Sequence, residues 1–596
     1  MHIAFKFNYI HDNGLFARLL KRIAERSPLQ LTLYKEKTDH IIAASGDQSE
    51  LEALAELVSQ LIPQSLFLAG HSIEEREMID ESKQLIAEEI SYEIPYCPEC
   101  QTKVMQTLDP FEECSVCGFS NLKLTFDDLC VLTQTEEDKP EGYFETLAEK
   151  LISTGKLSLP TYNGVRNFSL LDSLEDINSG ILICDPSELS NSFVITQDEL
   201  DTLMMIEKPS LRLKPKIKFR AEYELDRPFY PVFFADDKIT LALTLALSRK
   251  GLFAIYCDTV TSLRTASALG EHVIIDVGRD MLPYKHPMTI EQAACCTLDG
   301  FTALGNTKGL FLDTGFSPTE PCIRFISKDE PSTLGKGIFF EPAHAALRSV
   351  VLEHELQGRS LCGIYLSRTH DSQIFCFSSK IGYTSLAAFS SELLDSPKSM
   401  LDAISQMDEE GTRLVANYKN TYPKLYEQIE NTSFDSDTGA SMLSRLWAMA
   451  AVFIGLSQGG DIHKACEELE ATALEFNGKS GPRIDYKVMK SENGYKVDPR
   501  LAIRSAMSFK LAGVDEYLLS FGFIDSLADF IAEQAELADA NIAIEGVSLN
   551  GTLFENRQLL MRSYNALSPN YTIYRNRRLP LDGASLAIGA VTLGSE

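Results

Sequence analysis

The sequence predicts a multidomain α/β protein, and three observations carry that prediction. The chain has 596 residues, more than one hydrophobic core organises, and at ~150 residues per domain the length points to about four domains. Strand and helix patterns alternate over residues 1–72, and a longer α/β alternation begins near residue 228. Hydrophobic residues make up 44% of the chain, enough for several cores. That excludes a mainly disordered chain and a disulfide-stapled miniprotein.

Residues 2–9 alternate as a strand, and residues 14–25 place Leu15, Leu19, Leu20 and Ile23 on one helical face. Residues 29–34 and 40–44 read as strands about a polar turn at 35–39. Residues 49–61 read as an amphipathic helix capped by Ser49 and stopped before Pro63, and residues 65–69 as a closing strand. The order βαββαβ is that of a ferredoxin-like unit with both helices on one face of its sheet. An acidic helix at 73–90 is expected to lead into a cysteine-bearing segment at 91–125.

Residues 126–218 mix short strands with helices, one of them at 143–155, and form a small α/β region. Segment 207–216 carries Lys208, Pro209, Arg212, Lys214, Pro215 and Lys216. Proline at both ends makes it extended, and a domain boundary is expected just after it. Over residues 228–596, strand-like runs at 253–257, 273–277, 310–313 and 361–365 precede helical stretches at 399–430, 441–456, 463–475 and 512–538. A region that long is expected to divide into two lobes, with a ligand cleft between them.

Lys and Arg total 55 against 85 Asp and Glu, a net charge of −30. Such a balance opposes generic binding to nucleic-acid phosphates or anionic lipid. No run of ~20 apolar residues is present to span a bilayer; the nearest, 239–257, is broken by Ser248, Arg249 and Lys250. The first residues lack the pattern of a signal peptide. A cytoplasmic location is the expectation, with thiols reduced and one metal site among the 13 cysteines.

That site is Cys97-Pro98-Glu99-Cys100 with Cys114-Ser115-Val116-Cys117-Gly118, a CxxC-x13-CxxC pattern. Two such hooks place four thiolates tetrahedrally about a structural Zn²⁺, a zinc ribbon. A redox pair would need a strand leading into a helix at the hook, and four unrelated buried cysteines are the other alternative.

Near the C-terminus, residues 544–557 read as a strand, a turn at Gly551 and a helix, whose N-terminus offers N–H groups to an anion. Asp582 and Gly583 precede a second, small-residue helix. Each alone is also what an ordinary helix start looks like. Together, Leu549-Asn550-Gly551-Thr552-Leu553-Phe554-Glu555-Asn556-Arg557 and Pro580-Leu581-Asp582-Gly583-Ala584 resemble the end of the hydrogenase maturation carbamoyltransferases, the HypF family. Those show L-S-G-G-V-F-Q-N-R and then P-x-D-G-G-x-A-x-G.

The segment order is similar to that family throughout: an acylphosphatase domain (residues 1–72 here), zinc hooks (91–125), a YrdC-like domain (126–218) and a two-lobed threonylcarbamoyltransferase-like domain of the actin, Hsp70 and sugar-kinase architecture (228–596). The resemblance implies ATP-dependent transfer of a carbamoyl group from carbamoyl phosphate to a HypE-like partner, in the maturation of nickel–iron hydrogenase. It also implies nucleotide contacts at Lys208, Arg212, Gly551, Asn556 and Gly583, and a second divalent metal held by His344 and Asp582.

The sequence departs from the family at most of these sites. Ala17 stands where the acylphosphatase loop has its arginine, unless Arg18 substitutes after a one-residue slip. One pair of hooks stands where the family has two, and the YrdC-like region is shortened. Phe340 replaces the first metal-binding histidine, which also leaves open that His344 is a core or capping residue; His354 lies too far around a helix to share its face. Segment 363–371 lacks the glycines of a phosphate turn, segment 460–466 lacks a family glutamate, and Thr552 replaces a glycine. Two functions therefore stand open: an active carbamoyltransferase, or a catalytically degenerate paralogue that acts as a zinc-binding protein-interaction factor. RNA modification is disfavoured by the net charge.

Overall fold

The computed structural model describes residues 1–11, 14–79, 94–120, 124–173, 179–260, 263–276, 294–298, 301–305, 322–326, 334–339, 341–389, 395–435, 439–491, 494–583, 585–586, 589 and 593. The chain forms two compact units, the first made mainly of residues 1–272 and the second mainly of residues 284–596.

The first unit opens with β1 (His2–Tyr9), α1 (Leu15–Arg26), β2 (Leu31–Glu36), β3 (Asp39–Ser45), α2 (Gln48–Leu61) and β4 (Leu68–Glu75). These strands form an antiparallel sheet in the order β2-β3-β1-β4, the ferredoxin-like arrangement. α1 buries Leu15, Phe16, Leu19, Leu20 and Ile23, each worth about 1.5–3 kcal/mol. Phe16 stacks on Tyr9 of β1 at 4.9 Å.

Two details differ from expectation. Asp47, not Ser49, caps α2, in a reciprocal capping box with Glu50. β4 begins and ends later than 65–69, so Ile73 is in a strand and the acidic helix expected from that residue does not start there; residues 80–93 lie outside the described ones.

The next sheet corrects a larger expectation. Its strands run in the order Arg264–Ala268, Ser210–Pro215, Tyr230–Phe233, Gly180–Ile183, Ala254–Cys257, Gly164–Ser169 and Lys156–Thr161, with Phe193–Val194 against Ser210–Pro215. The boundary expected after Lys216 therefore falls inside a sheet. Ser210–Pro215 pairs antiparallel with Tyr230–Phe233 and parallel with Arg264–Ala268. The basic, proline-flanked segment is extended as expected and forms a buried strand of this sheet. The strand at 254–257, assigned from sequence to the C-terminal domain, also belongs here, and the small α/β region is not shortened at residue 218.

The second unit holds an antiparallel meander of Ala294–Leu298, Phe301–Gly305, Cys322–Ile326 and Leu334–Phe339. Its other sheet has the order Val488–Ser491, Gly494–Val497, Gly382–Ala388, Gln373–Ser378, Leu361–Tyr365, Val547–Asn550 and Ile573–Tyr574. Leu361–Tyr365 pairs antiparallel with Gln373–Ser378 and parallel with Val547–Asn550.

The expected helical stretch at 399–430 is three helices, Pro397–Met407, Glu409–Thr421 and Pro423–Asn431, divided at the capping Asp408 and at Pro423. Met442–Ile454 carries the buried Trp447 and is buried at every position but Arg445, as an interior helix is. The strand expected at 310–313 lies outside the described residues.

Candidate functional site

The four cysteines converge. Cys97 is the N-cap of the helix Pro98–Thr107, and Gly118, with φ 73°, folds the second hook so that its N–H reaches the Cys114 carbonyl at 2.9 Å. All four Sγ atoms are buried and within 4.8 Å of one another. The near pairs cross between the hooks: Cys97 to Cys114 is 3.5 Å and Cys100 to Cys117 is 3.6 Å.

A tetrahedron with ~2.3 Å metal–sulfur bonds has sulfur–sulfur edges of ~3.8 Å. The donors therefore fit Zn²⁺, and they are too far apart for a disulfide of ~2.05 Å. The first hook does open a helix, which the redox alternative needs, yet its close sulfur partners lie on the other hook.

Neighbouring side chains hold this cage. Arg18 Nη1 donates to the Cys117 carbonyl at 2.7 Å, Arg26 pairs with Glu99 at 2.8 Å, and Lys238 Nζ donates to the Glu112 carbonyl at 2.7 Å. Arg18 thus supports the cysteine loop, and the buried Ala17 has no polar group to offer.

Lys208 is buried just before the strand Ser210–Pro215, donating from Nζ to the Met204 carbonyl at 2.9 Å and lying 5.2 Å over the Tyr96 ring. Burial pulls its ammonium down to about 8. Arg212 is half-buried on the same strand, opposite Pro231.

In the second unit, Asp582 is buried, and both its oxygens accept hydroxyl hydrogen bonds, from Tyr365 at 2.9 Å and from Ser367 at 2.6 Å. Its Oδ1 also accepts from the Gly583 N–H at 2.9 Å. Burial, then the Asp582 charge, pushes the Tyr365 phenol well up. The histidine beside Asp582 is His370, with Nδ1 at 3.8 Å.

His344 sits on the helix Pro342–Glu353 and stacks on Tyr383 at 3.8 Å between ring centres. Burial, followed by Arg348, lowers it to about 4. Of the expected second-metal pair, His344 is an aromatic packing partner of Tyr383 and Asp582 accepts hydroxyl hydrogen bonds on both oxygens. Among the described residues, the four cysteines are the one group of three or more ligands close enough for a metal. His354 caps its helix and bonds the Arg575 carbonyl at 2.7 Å.

Gly551 has φ 102°, and a Cβ there would lie 2.1 Å from the Leu366 carbonyl oxygen. Asn556 caps the helix Arg557–Leu567, accepting from the Leu559 N–H at 3.1 Å, and its Nδ2 donates to Glu470 at 3.2 Å. Gly583, with φ 69°, turns the chain after Asp582.

Sequence reasoning missed the residue that joins these loops. The Arg368 guanidinium makes a two-pronged bond to Glu470, at 2.7 and 2.9 Å. Burial works against that charge, and the Glu470 carboxylate holds the guanidinium well above its ordinary value all the same. The signal was present in the sequence: a long cation among expected glycines, and an acid on the helix Ile462–Ala473 in line with Ala465, Cys466, Leu469 and Ala473.

Comparison with known proteins agrees with this architecture. Residues 394–590 match the carbamoyltransferase family's Kae1-like domain, second subdomain. The fold matches full-length HypF in its phosphate- and nucleotide-bound form, at 15% identity and a TM-score of 0.61, covering 100% of this chain and 98% of that one. It also matches HypF of T. kodakarensis at 13% identity and 0.60, with the same coverage. Protein HydE of Wolinella succinogenes is 27% identical over 448 residues, 74% of each chain.

The C-terminal segment 394–590 is thus similar to a carbamoyltransferase subdomain. Over its whole length the chain has the fold of HypF, with a buried four-cysteine cluster in its first unit.

Proposed function

We propose that the chain is a HypF-like factor in nickel–iron hydrogenase maturation, one that binds structural zinc and a HypE-like partner and no longer carries out metal-assisted carbamoyl transfer in its C-terminal unit. The observation that carries this reading is the state of Asp582, the acidic ligand implied by the resemblance. Both its oxygens are occupied by the hydroxyls of Tyr365 and Ser367, and His344 is stacked on Tyr383.

A metal there would have to compete with these hydrogen bonds in a buried site and would gain no second ligand from His344, which is stacked on Tyr383. Cys97, Cys100, Cys114 and Cys117 would hold Zn²⁺, which supplies folding energy rather than chemistry in a closed four-thiolate site.

The test is carbamoyl-phosphate-dependent conversion of ATP to AMP and pyrophosphate by the zinc-loaded full chain, with and without a HypE-like acceptor. No turnover above background is expected, together with retained binding of the acceptor.

One observation favours the active alternative. The sheet carrying Arg212, with Lys208 just before its strand, includes the strand Arg264–Ala268, so the α/β region extends well past residue 218, as a domain that forms a carbamoyl adenylate would require. Turnover abolished by Lys208→Ala or Arg212→Ala, with the fold retained, would establish that alternative.

A further inference from the structure

The strands Leu361–Tyr365 and Val547–Asn550 run parallel, and the loops 366–371 and 551–556 leave their C-terminal ends, the end at which an α/β sheet forms its ligand crevice. In α/β sheets, that end is where ligands bind, commonly through phosphate groups set against backbone N–H. Here the two loops are joined to each other.

The Leu553 N–H donates to the Leu366 carbonyl at 2.9 Å, and the Thr552 hydroxyl accepts from the Arg368 N–H at 3.0 Å. The Arg368 carbonyl accepts from the Ser441 N–H at 2.8 Å. Its guanidinium grips Glu470, a carboxylate with no solvent exposure. Asn556 of the second loop donates to the same carboxylate, and Glu555 lies 3.7 Å from Arg368 Nε. A two-pronged guanidinium–carboxylate pair has the same geometry as a guanidinium–phosphate pair.

We infer that the Arg368–Glu470 pair is an internal latch: the Glu470 carboxylate occupies the guanidinium that a ligand phosphate would take, so this crevice binds no nucleotide in the intact chain. The latch rests on the reading that the C-terminal unit has given up carbamoyl transfer, and it assigns the physical cause. A phosphate entering the crevice would have to displace a buried carboxylate and leave it unpaired, which disfavours binding even where loop 551–556 still offers N–H groups.

Hydrogen exchange of the full, zinc-loaded chain tests this, with Mg·ATP and inorganic phosphate as separate probes. Neither probe should slow exchange in 361–371 or 547–557. Glu470→Gln should speed exchange in both segments together by about tenfold or more, since ~1.4 kcal/mol of lost local stability is one decade.

Because Glu470→Gln strands a buried arginine at a cost large enough to threaten the fold of the unit, Arg368→Lys and Thr552→Ala provide milder arms. Lys keeps the charge without the fork, and Ala removes only the loop-to-loop hydroxyl. Protection of either segment by Mg·ATP or phosphate in the unsubstituted chain would overturn the latch, as would faster exchange confined to the substituted segment in all three variants. ATP turnover with both segments unprotected would instead sink the functional reading and leave the latch standing.

Discussion

Glu470 shares a helix face with Ala465, Cys466, Leu469 and Ala473, so its carboxylate reaches an apolar interior and needs a cation there. Arg368 supplies it, and the energetics follow from burial. Glu470→Gln leaves the arginine without its counter-charge and should cost about 3–5 kcal/mol, while joint replacement by apolar residues of similar size, Arg368→Met with Glu470→Leu, should recover most of that loss. Urea unfolding of the single and double variants checks it; a single variant within ~1 kcal/mol of the parent would mean the pair is solvated.

His344 gives a pH signature at the same scale. Its folded value of about 4 lies below the ordinary 6.5, so between these values the unfolded chain binds more protons. The contribution is fully present above pH 6.5 and is lost as pH falls through 4. At its partial exposure the loss should amount to up to ~2 kcal/mol after screening. His344→Phe keeps the stack on Tyr383 and should flatten that limb of the stability–pH curve.

At the scale of elements, sequence periodicity located most of the strands and helices, because amphipathic faces repeat with the geometry that buries them. β1, α1, α2 and Leu361–Tyr365 lie within a residue or so of expectation. Segment 207–216 is extended as expected, but it lies inside a sheet rather than at a domain boundary, for a physical reason. Its charges and prolines look solvated, yet the aliphatic stems of Arg212 and Lys214 let a strand with buried Leu211 and Leu213 sit within a sheet. The prolines frame that strand rather than interrupt it.

Of the candidate site, the four cysteines were legible because ligand spacing is a local property. The Arg368–Glu470 pair was not, since 102 residues separate the partners. Gly551 tests the loop geometry. Gly551→Ala forces a Cβ against Leu366 oxygen at positive φ and should cost well over ~2 kcal/mol. Gly513→Ala, also at positive φ but with open space around it, should cost only about 1–2 kcal/mol. Thermal denaturation of the two variants separates the steric part from the conformational part.

For the whole molecule, the question is how far metal binding reaches. The cysteine cage and the side chains that brace it, Arg18, Arg26 and Lys238, all belong to the first unit. A closed thiolate site contributes its binding free energy to the fold that assembles it. Zinc should be present at about one ion per chain, and Cys114→Ser should reduce it to near zero.

Stripping the metal with a chelator should then lower protection in α1 and in the helix Pro98–Thr107, and should leave the strands Leu361–Tyr365 and Val547–Asn550 unchanged. The reason is that cooperative opening follows the contacts within a unit. Equal loss of protection in both units would show instead that the chain unfolds as one cooperative body and that the zinc site stabilises all of it. That outcome would extend the influence of the four cysteines to the Arg368–Glu470 latch, where the single-unit result confines it to the N-terminal half.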